Sequence, residues 1–236
     1  IALHEVDDPS RFGVARIDQH LRVREFVEKP KLADAPSRMA NAGVYLMEPE
    51  AIDRIPQGRK VVIEREIFPA LANEGKLSGY VHSGTWFDIG DITDFRNANF
   101  ALLESTSMDK VTQGQGTAIA KSAQLVQPAI IGDRAIVEEN AKLGPRTIIG
   151  RCARIRRNTA LARTIVFDDA EIGSDSSIEG AVIGNGVTVG RHVFIQQGSV
   201  IAGHAKIHDN VRIGPDVHVH PYKEIDRDVL SPGHVV

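Results

Sequence analysis

The chain has 236 residues, which is enough for one large domain or two ordinary ones, and its formal net charge is only −3. This near balance argues against nucleic acid or an anionic membrane as the main partner. The single cysteine, Cys152, excludes an internal disulfide and fits a reducing compartment, so we expect a cytoplasmic protein. The sequence has no run of 18 apolar residues, so no membrane span is predicted.

The first half of the chain mixes strand and helix patterns. Strands are predicted at the start (Ile1 to Leu3), in a hairpin formed by residues 14–17 and 21–27, in the apolar segment 42–47, and over residues 77–82. Helices are predicted over residues 63–74, with a kink at Pro69 and a stop at Gly75, and over residues 91–105, with Asp91 as the cap. This mixture is typical of an α/β or α+β domain.

The second half has a hexapeptide repeat. An aliphatic residue recurs every six residues, with two steps of five, at 18 positions: Ile119, Leu125, Ile131, Val137, Leu143, Ile149, Ile155, Leu161, Val166, Ile172, Ile178, Ile183, Val189, Ile195, Ile201, Ile207, Ile213 and Val219. This period is the signature of a parallel β-helix of about six triangular coils, with the aliphatic residues pointing inward. A small residue often stands four residues later, where a corner is expected. A glycine often follows the aliphatic residue directly, and we expect it to adopt backbone angles that other residues resist.

Several polar residues fall at strand ends or in turns of the first half. They are Glu28 and Lys29 in FVEKP, Asn41 before the segment 42–47, and Trp86 and Asp88 in WFDIG. Lysine suits a phosphate oxygen, a carboxylate can accept hydrogen bonds from sugar hydroxyls, and Asp88 could hold Mg²⁺. By residue type alone, a solvated Glu–Lys pair, a helix-capping aspartate and a core tryptophan are the commoner interpretations.

Five motifs occur in an order and spacing that resemble the NDP-sugar pyrophosphorylases. They are DPSRFGV, FVEKP, NAGVYLMEPE, IEREIFPALANEGKL and WFDIGDITDF. The resemblance is strongest to mannose-1-phosphate guanylyltransferases and to relatives of glucose-1-phosphate thymidylyltransferases that carry a C-terminal left-handed β-helix. It implies that residues 1–108 are the C-terminal portion of a doubly wound nucleotidyltransferase domain, on its sugar-phosphate side, and that residues 109–236 form the β-helix.

The resemblance also implies an activity and roles for single residues. A sugar 1-phosphate would attack the α-phosphate of a nucleoside triphosphate, giving an NDP-sugar of the GDP-mannose or dTDP/UDP-glucose type and pyrophosphate. Lys29 and Asp88 would be catalytic, with Lys29 on the sugar phosphate and Asp88 on Mg²⁺. Gly13, Glu28, Asn41 and Trp86 would bind the sugar or shape its pocket.

One departure from the family pattern affects these expectations. The family's glycine-rich nucleotide loop and its second Mg²⁺-binding aspartate do not occur in this sequence. We therefore expect the chain to be a fragment without its N-terminal nucleotide-binding part, and to be inactive alone. We also expect its N-terminal part to be the less stable one, unless a partner or the missing segment covers it, and the β-helix to favour a homo-oligomer.

Two other functions stay open from the sequence. Hexapeptide β-helices also host acyltransferases that use a histidine base, and His192, His204, His208, His218 and His220 lie in the repeats. His192 and His204 take the fourth hexad position, near corners, where polar side chains normally face solvent. Proteins of this architecture can also act as non-catalytic regulatory or assembly subunits.

Overall fold

The computed structural model describes residues 1–235, and the contacts divide them into two compact units, Ile1–Asp88 and the residues from Ile89 onward. No helix among these residues has the length and apolar character needed to cross a membrane. By its contacts the predicted helix near residue 91 belongs to the second unit. The division of the chain into domains at residue 109 stays a prediction.

The first unit is built on a mixed five-stranded sheet. Its elements in chain order are β1 (Ala2–Glu5), β2 (Gly13–Ile17), β3 (Val23–Glu28), β4 (Met39–Asn41), α1 (Pro49–Ile52), α2 (Ile63–Glu66), α3 (Phe68–Asn73) and β5 (Tyr80–Val81), with 3-10 turns at Pro9–Arg11 and Leu32–Asp34. The strand order is β3-β2-β4-β1-β5. All neighbours are antiparallel except β1 and β5, which are parallel.

The hairpin and the kinked helix are confirmed. Strands β2 and β3 pair in antiparallel register around the turn at Asp18, whose side chain accepts hydrogen bonds from the backbone N–H groups of His20 and Arg22. The helical segment breaks at Ile67, and Pro69 lies in the first turn of α3, where its missing N–H costs no helical hydrogen bond. Gly75 follows with φ +68°, the left-handed conformation that ends many helices.

The predicted buried strand over residues 42–47 is wrong. The strand lies earlier, at Met39–Asn41, and the chain leaves it at Gly43, which has φ +77°. Val44 is 66% exposed and Leu46 is 98% exposed, whereas Tyr45 and Met47 are half-buried and pack against the core, so the run is not a buried strand. The strand predicted over residues 77–82 is present only at Tyr80–Val81. Apolar composition alone could not fix where these segments pair.

The core of the first unit lies between the sheet and helices α2 and α3. Phe68 and Leu71 of α3 pack with Leu3 and Phe26 of the sheet in one buried cluster. The Phe26 and Phe68 rings meet edge to face, with centroids 5.4 Å apart. This packing fixes the face of the sheet on which the candidate site is built.

The second unit consists of one long helix and a parallel β-solenoid. Its elements are α4 (Ile92–Ser107), β6 (Val111–Gln113), β7 (Ala118–Ile119), β8 (Gln124–Leu125), β9 (Ala129–Ile131), β10 (Ile136–Val137), β11 (Lys142–Leu143), β12 (Thr147–Ile149), β13 (Arg154–Ile155), β14 (Ala160–Ala162), β15 (Ile165–Val166), β16 (Glu171–Ile172), β17 (Ser177–Glu179), β18 (Val182–Ile183), β19 (Thr188–Val189), β20 (Phe194–Ile195), β21 (Val200–Ile201), β22 (Lys206–Ile207), β23 (Arg212–Ile213), β24 (Val217–Val219), β25 (Glu224–Ile225) and β26 (Gly233–Val235). As predicted, Asp91 caps the helix: its side chain accepts a hydrogen bond from the Asp94 N–H at 2.8 Å.

The solenoid confirms the coil architecture read from the repeat. Its strands form three parallel sheets of seven, six and eight strands, with each strand paired to the one a full coil away. The architecture of about six turns is consistent with the expected left-handed β-helix. Of the 18 repeat positions, 16 are buried inside, and Ile119 and Leu125 of the first coil are half-buried.

The predicted role of the glycines after the aliphatic residues is corrected by the structure. Gly173 does not have a positive φ; instead, a Cβ there would lie 2.3 Å from the Gly190 carbonyl oxygen of the next coil. The left-handed conformation falls two residues later, at positions such as Asn158 and Asp175, which are not glycine. Close approach between coils therefore requires glycine here, while the corner residues accept a strained backbone.

Most of the small residues four positions after the aliphatic ones are buried, and the hydroxyl groups of those that are Ser or Thr have hydrogen-bond partners. Thr159 Oγ1 donates to the Gly173 carbonyl at 2.9 Å, and Ser199 Oγ donates to the Gly214 carbonyl at 2.7 Å. Among the described residues no buried side-chain nitrogen or oxygen lacks a partner. These bonds tie successive coils together inside the prism without the cost of an orphaned polar group.

Helix α4 is joined to the solenoid near the two five-residue steps of the repeat. Arg96 Nη1 donates to the Gly180 carbonyl at 2.8 Å, and the Phe95 ring stacks on Phe167 with centroids 5.9 Å apart. The Arg146 Nε also donates to Glu104 at 2.6 Å. These contacts explain why the helix groups with the solenoid.

Candidate functional site

Three of the predicted site residues lie in one row across three neighbouring strands. Gly13 on β2 pairs with Glu28 on β3. On its other side Val14 pairs with Ala40 of β4, and the antiparallel register therefore sets Asn41 beside Gly13. Residues in one row of a sheet point to the same face, so Glu28 and Asn41 flank Gly13 from two strand spacings apart, about 10 Å.

Gly13 leaves the middle of this row open. A Cβ at Gly13 would lie 2.6 Å from Phe26 Cζ and 2.8 Å from Glu28 Oε2, distances that only a glycine allows. The Phe26 ring thus forms the floor below Gly13, and the Glu28 carboxylate leans over it. Both Glu28 and Asn41 are half-buried. The result is a shallow surface with a carboxylate and an amide on either side of bare backbone.

Lys29 follows the row at the end of β3. Its backbone has φ +48°, and its N–H donates to the Phe12 carbonyl at 2.9 Å. This hydrogen bond to Phe12, the neighbour of Gly13, therefore holds the turn of the backbone at Lys29. Lys29 is exposed, and within residues 1–235 its ammonium makes no ion pair or side-chain hydrogen bond. Its backbone is held, and its side chain is a solvent-exposed cation that follows Glu28 directly.

Trp86 docks beside the same row. Its Nε1 donates to the Ala42 carbonyl at 3.2 Å, directly after Asn41. Its ring meets Phe12 edge to face, with centroids 5.5 Å apart, directly before Gly13. The indole is half-buried and also lies 5.5 Å from the His4 ring. Trp86 therefore bridges the segments that carry Gly13 and Asn41.

Asp88 lies two residues after Trp86 and is exposed. Across the described part of the chain, no hydrogen bond or ion pair joins it to another residue. The structure thus brings Gly13, Glu28, Lys29, Asn41 and Trp86 together, but it does not join Asp88 to them by a contact. Residues 1–235 contain no group of three or more His, Cys, Asp or Glu side chains arranged for a metal ion.

Two residues of the site were not singled out from the sequence. Asn41 Nδ2 donates to the Tyr45 hydroxyl at 2.8 Å, and that hydroxyl donates to Glu64 Oε1 at 3.1 Å. Burial raises the pKa of Tyr45, the Asn41 hydrogen bond lowers it, and the nearby carboxylates of Glu64 and Glu28 raise it further. Tyr45 and Glu64 lie inside two of the quoted motifs, which is the signal that could have found them.

Two histidines of the repeat, His192 and His204, have the exposed corner positions that were predicted for them. His192 and His204 adopt left-handed backbone conformations at corners and are exposed. The His204 ring stacks on the Tyr222 ring with centroids 5.1 Å apart. His208 contacts Glu224 at 3.2 Å. No acyltransferase pocket follows from these positions.

Two family models match the chain, one for each half. Residues 1–105 match the model described as nucleotidyl transferase, and residues 125–235 match the model described as GMPPB C-terminal domain. The two matches follow one another along the chain. The first covers the sheet unit and most of helix α4, and the second covers most of the solenoid.

Several curated relatives carry the name mannose-1-phosphate guanylyltransferase. One from Mycobacterium tuberculosis (strain ATCC 25618 / H37Rv) is 36% identical over 181 residues, which is 76% of this chain and 47% of the relative. Mannose-1-phosphate guanylyltransferase 1 of Arabidopsis thaliana is 30% identical over 236 residues, 98% of this chain and 62% of the relative. A probable mannose-1-phosphate guanylyltransferase 3 of Oryza sativa subsp. japonica is 29% identical over 233 residues, again 98% and 62%. The chain thus spans about half to three-fifths of the length of these relatives.

Proposed function

We propose, because the chain belongs to the NDP-sugar pyrophosphorylase family with a C-terminal β-helix, that it provides the sugar-phosphate side of a sugar-1-phosphate nucleotidyltransferase. The sugar 1-phosphate is mannose 1-phosphate, and the nucleotide product is GDP-mannose. The choice of mannose and guanine is supported by the names of the relatives. In this reaction an oxygen of the sugar phosphate attacks the α-phosphorus of GTP, the bond to the β-phosphate breaks, and pyrophosphate leaves.

Each residue of the candidate site has a role in this proposal that follows from its chemistry. The Lys29 ammonium binds the phosphate of the sugar 1-phosphate as a point charge. The Glu28 carboxylate accepts hydrogen bonds from sugar hydroxyls, and the Asn41 amide binds a further oxygen of the ligand. Gly13 lets the sugar ring approach the backbone. Trp86 forms a wall of the pocket.

The metal belongs to the proposal as well. Asp88 has an exposed carboxylate without a partner in the described residues, which fits Mg²⁺, because this ion is often held by one or two carboxylates together with phosphates and water. When bound, a divalent cation neutralises charge on the transferring phosphoryl group. We propose Asp88 as its ligand from this chain.

The observation that carries the proposal is the row Glu28–Gly13–Asn41. In this row the Glu28 carboxylate and the Asn41 amide lie about 10 Å apart on one face, and the Lys29 ammonium that follows Glu28 has no partner among residues 1–235. A hexose 1-phosphate has a length of this order, with hydroxyls along one side and the dianion at one end. An ordinary solvated Glu–Lys pair would not require a glycine opposite Glu28 on the neighbouring strand, or an indole docked on the residues next to Gly13 and Asn41.

The test uses the single tryptophan of the chain, Trp86, as the probe. We expect the emission of Trp86 to change on titration with α-mannose 1-phosphate, with saturation at one ligand per chain. We expect weaker binding of α-glucose 1-phosphate and of inorganic phosphate. Absence of saturable binding of every sugar 1-phosphate, confirmed by calorimetry, would contradict the proposal.

A further inference from the structure

A directed chain of hydrogen bonds runs from the backbone of Gly43 through the Asn41 side chain to Glu64. The Gly43 N–H donates to Asn41 Oδ1 at 3.1 Å, and Asn41 Nδ2 donates to the Tyr45 hydroxyl at 2.8 Å. The Tyr45 hydroxyl then donates to Glu64 Oε1 at 3.1 Å. Asn41 and Tyr45 are both half-buried.

At each end of this series of hydrogen bonds, the terminal group can play only one role, donor or acceptor. A backbone N–H can only donate, and an ionised carboxylate can only accept. The proton of Tyr45 must therefore point to Glu64, and its oxygen is left to accept from Asn41. A flipped Asn41 amide would set its NH₂ group against the Gly43 N–H, two donors facing each other. The orientation of the Asn41 amide is thus fixed from two sides.

We propose that Glu64 and Tyr45 are positioning residues, which orient the Asn41 amide so that its remaining Nδ2 hydrogen donates to an oxygen of the bound sugar 1-phosphate. This inference rests on the proposed function. Glu64 acts only through Tyr45 and Asn41 and touches no reacting atom. The proposal thus gives the motif around residue 64 a role at the site, although that motif forms helix α2 and not a strand of the row.

The packing around Tyr45 supports this positioning role. The Tyr45 ring meets Phe68 edge to face, with centroids 5.1 Å apart, and Phe68 meets Phe26 in the same manner at 5.4 Å. Phe68 is only 1% exposed, and the edge of the Phe26 ring lies below Gly13. Tyr45 is therefore fixed against the same aromatic floor that underlies the row. A ring packed against the buried Phe68, with its hydroxyl bonded to Asn41 and Glu64, cannot easily turn that hydroxyl away from Asn41.

The raised pKa of the Tyr45 hydroxyl also supports its role as a donor to Glu64. Burial, in the first place, and the charges of Glu64 and Glu28 raise the pKa of Tyr45 above its ordinary value of 10.0, against the lowering effect of the Asn41 hydrogen bond. The hydroxyl proton is therefore retained at neutral pH, and Tyr45 stays a donor to Glu64.

The experiment compares Glu64→Gln with Glu66→Gln in the same 236-residue chain. Glutamine at position 64 can donate as well as accept, so the Tyr45 hydroxyl no longer has a fixed direction, and the Asn41 amide is then oriented from the Gly43 side alone. Glu66 lies on the same helix and pairs with Arg59 instead, so Glu66→Gln also removes one negative charge but leaves the hydrogen bonds of Tyr45 and Asn41 intact. Tyr45→Phe removes both hydrogen bonds of the hydroxyl, and thermal unfolding verifies that each variant folds.

Two readouts separate the positioning role from the proposed function. The first is the Asn41 side-chain amide pair in ¹H–¹⁵N spectra without ligand, which should shift in Glu64→Gln and Tyr45→Phe but not in Glu66→Gln. The second is the dissociation constant for α-mannose 1-phosphate, which should rise about tenfold in Glu64→Gln and less than twofold in Glu66→Gln.

The outcomes are distinct. If the wild-type chain binds the sugar phosphate and Glu64→Gln binds as tightly as Glu66→Gln, the positioning role is overturned. If the wild-type chain does not bind, the proposed function fails. In that case a shift of the Asn41 amide in Glu64→Gln alone would still support the positioning of Asn41, and an unchanged amide would overturn it.

Discussion

The Glu28 carboxylate lies over Gly13, with Oε2 2.8 Å from the place where a Cβ of residue 13 would be. The two residues are register partners on β2 and β3, so the contact is set by the hairpin rather than by a flexible loop. The absence of a side chain at residue 13 is what gives the carboxylate its place on the row.

Gly13→Ala should therefore disturb both stability and binding. The added methyl group would meet Phe26 Cζ at 2.6 Å, and the Phe26 ring is packed against Phe68 and cannot retreat freely. We expect a loss of about 1–3 kcal/mol in the free energy of unfolding, typical of overpacking, and a weaker affinity for α-mannose 1-phosphate. Denaturant unfolding and Trp86 titration measure the two effects. An unchanged affinity would show that Glu28 is not held by Gly13.

The solenoid offers a cleaner test of glycine as a close-approach residue. A Cβ at Gly173 would lie 2.3 Å from the Gly190 carbonyl oxygen, whereas at Gly203 the nearest atom is 3.4 Å away, an ordinary contact. Gly173→Ala should thus destabilise the protein by about 1–3 kcal/mol, and Gly203→Ala by less than about 0.5 kcal/mol. Equal effects in thermal or denaturant unfolding would contradict the corrected role of these glycines.

Glu74 should respond to pH in a defined window. Hydrogen bonds from Arg54, and then from Lys76, lower the pKa of its carboxyl from 4.5 to about 2. Because the folded pKa is depressed, the stability that this carboxylate contributes is present above pH 4.5 and is lost as the pH falls toward 2. The melting-temperature difference between wild type and Glu74→Gln should be present at pH 6 and shrink below pH 4.5. A Glu74 carboxyl that titrates near 4.5 by NMR would contradict this.

Asp88 should separate metal binding from sugar binding. Its carboxylate is exposed and has no partner in the described residues, so Asp88→Asn should not disturb the row. We expect its affinity for α-mannose 1-phosphate without metal to stay within about twofold of wild type, and any strengthening by Mg²⁺ to disappear. A strengthening by Mg²⁺ that is equal in both proteins would assign the metal to other groups.

The sequence predicted the solenoid well because each coil repeats the same physical problem. An aliphatic residue such as Ile172 or Ile183 must stack inside at every sixth position, and a small residue must fit the corner, so the signal accumulates over the repeats. The sheet unit has no such repetition. The apolar run at Val44 and Leu46 resembles a strand but is exposed, because pairing with β1 and the turn at Gly43 set the end of β4.

The candidate site was predictable only in part. Glu28 and Lys29 attract attention as an adjacent charged pair at a strand end, but nothing in the spacing shows that Gly13 and Asn41 share their row. That fact comes from the order of the strands, β3-β2-β4, which places segments distant in sequence side by side. The role of Glu64 could be recognised only from the positions of the side chains in the structure, because a sequence does not show which group donates to which.

The central claim is that Glu28 and Lys29 bind two ends of one phosphorylated sugar, and the most direct measurement is a set of dissociation constants for α-mannose 1-phosphate and inorganic phosphate. Lys29→Ala should weaken both ligands about tenfold or more, and Glu28→Gln should weaken only the sugar phosphate. The nearby exposed Lys31→Ala is the matched control and should change neither. If Lys29→Ala and Lys31→Ala bind the sugar phosphate equally, or if Glu28→Gln weakens both ligands alike, the account of the site is contradicted.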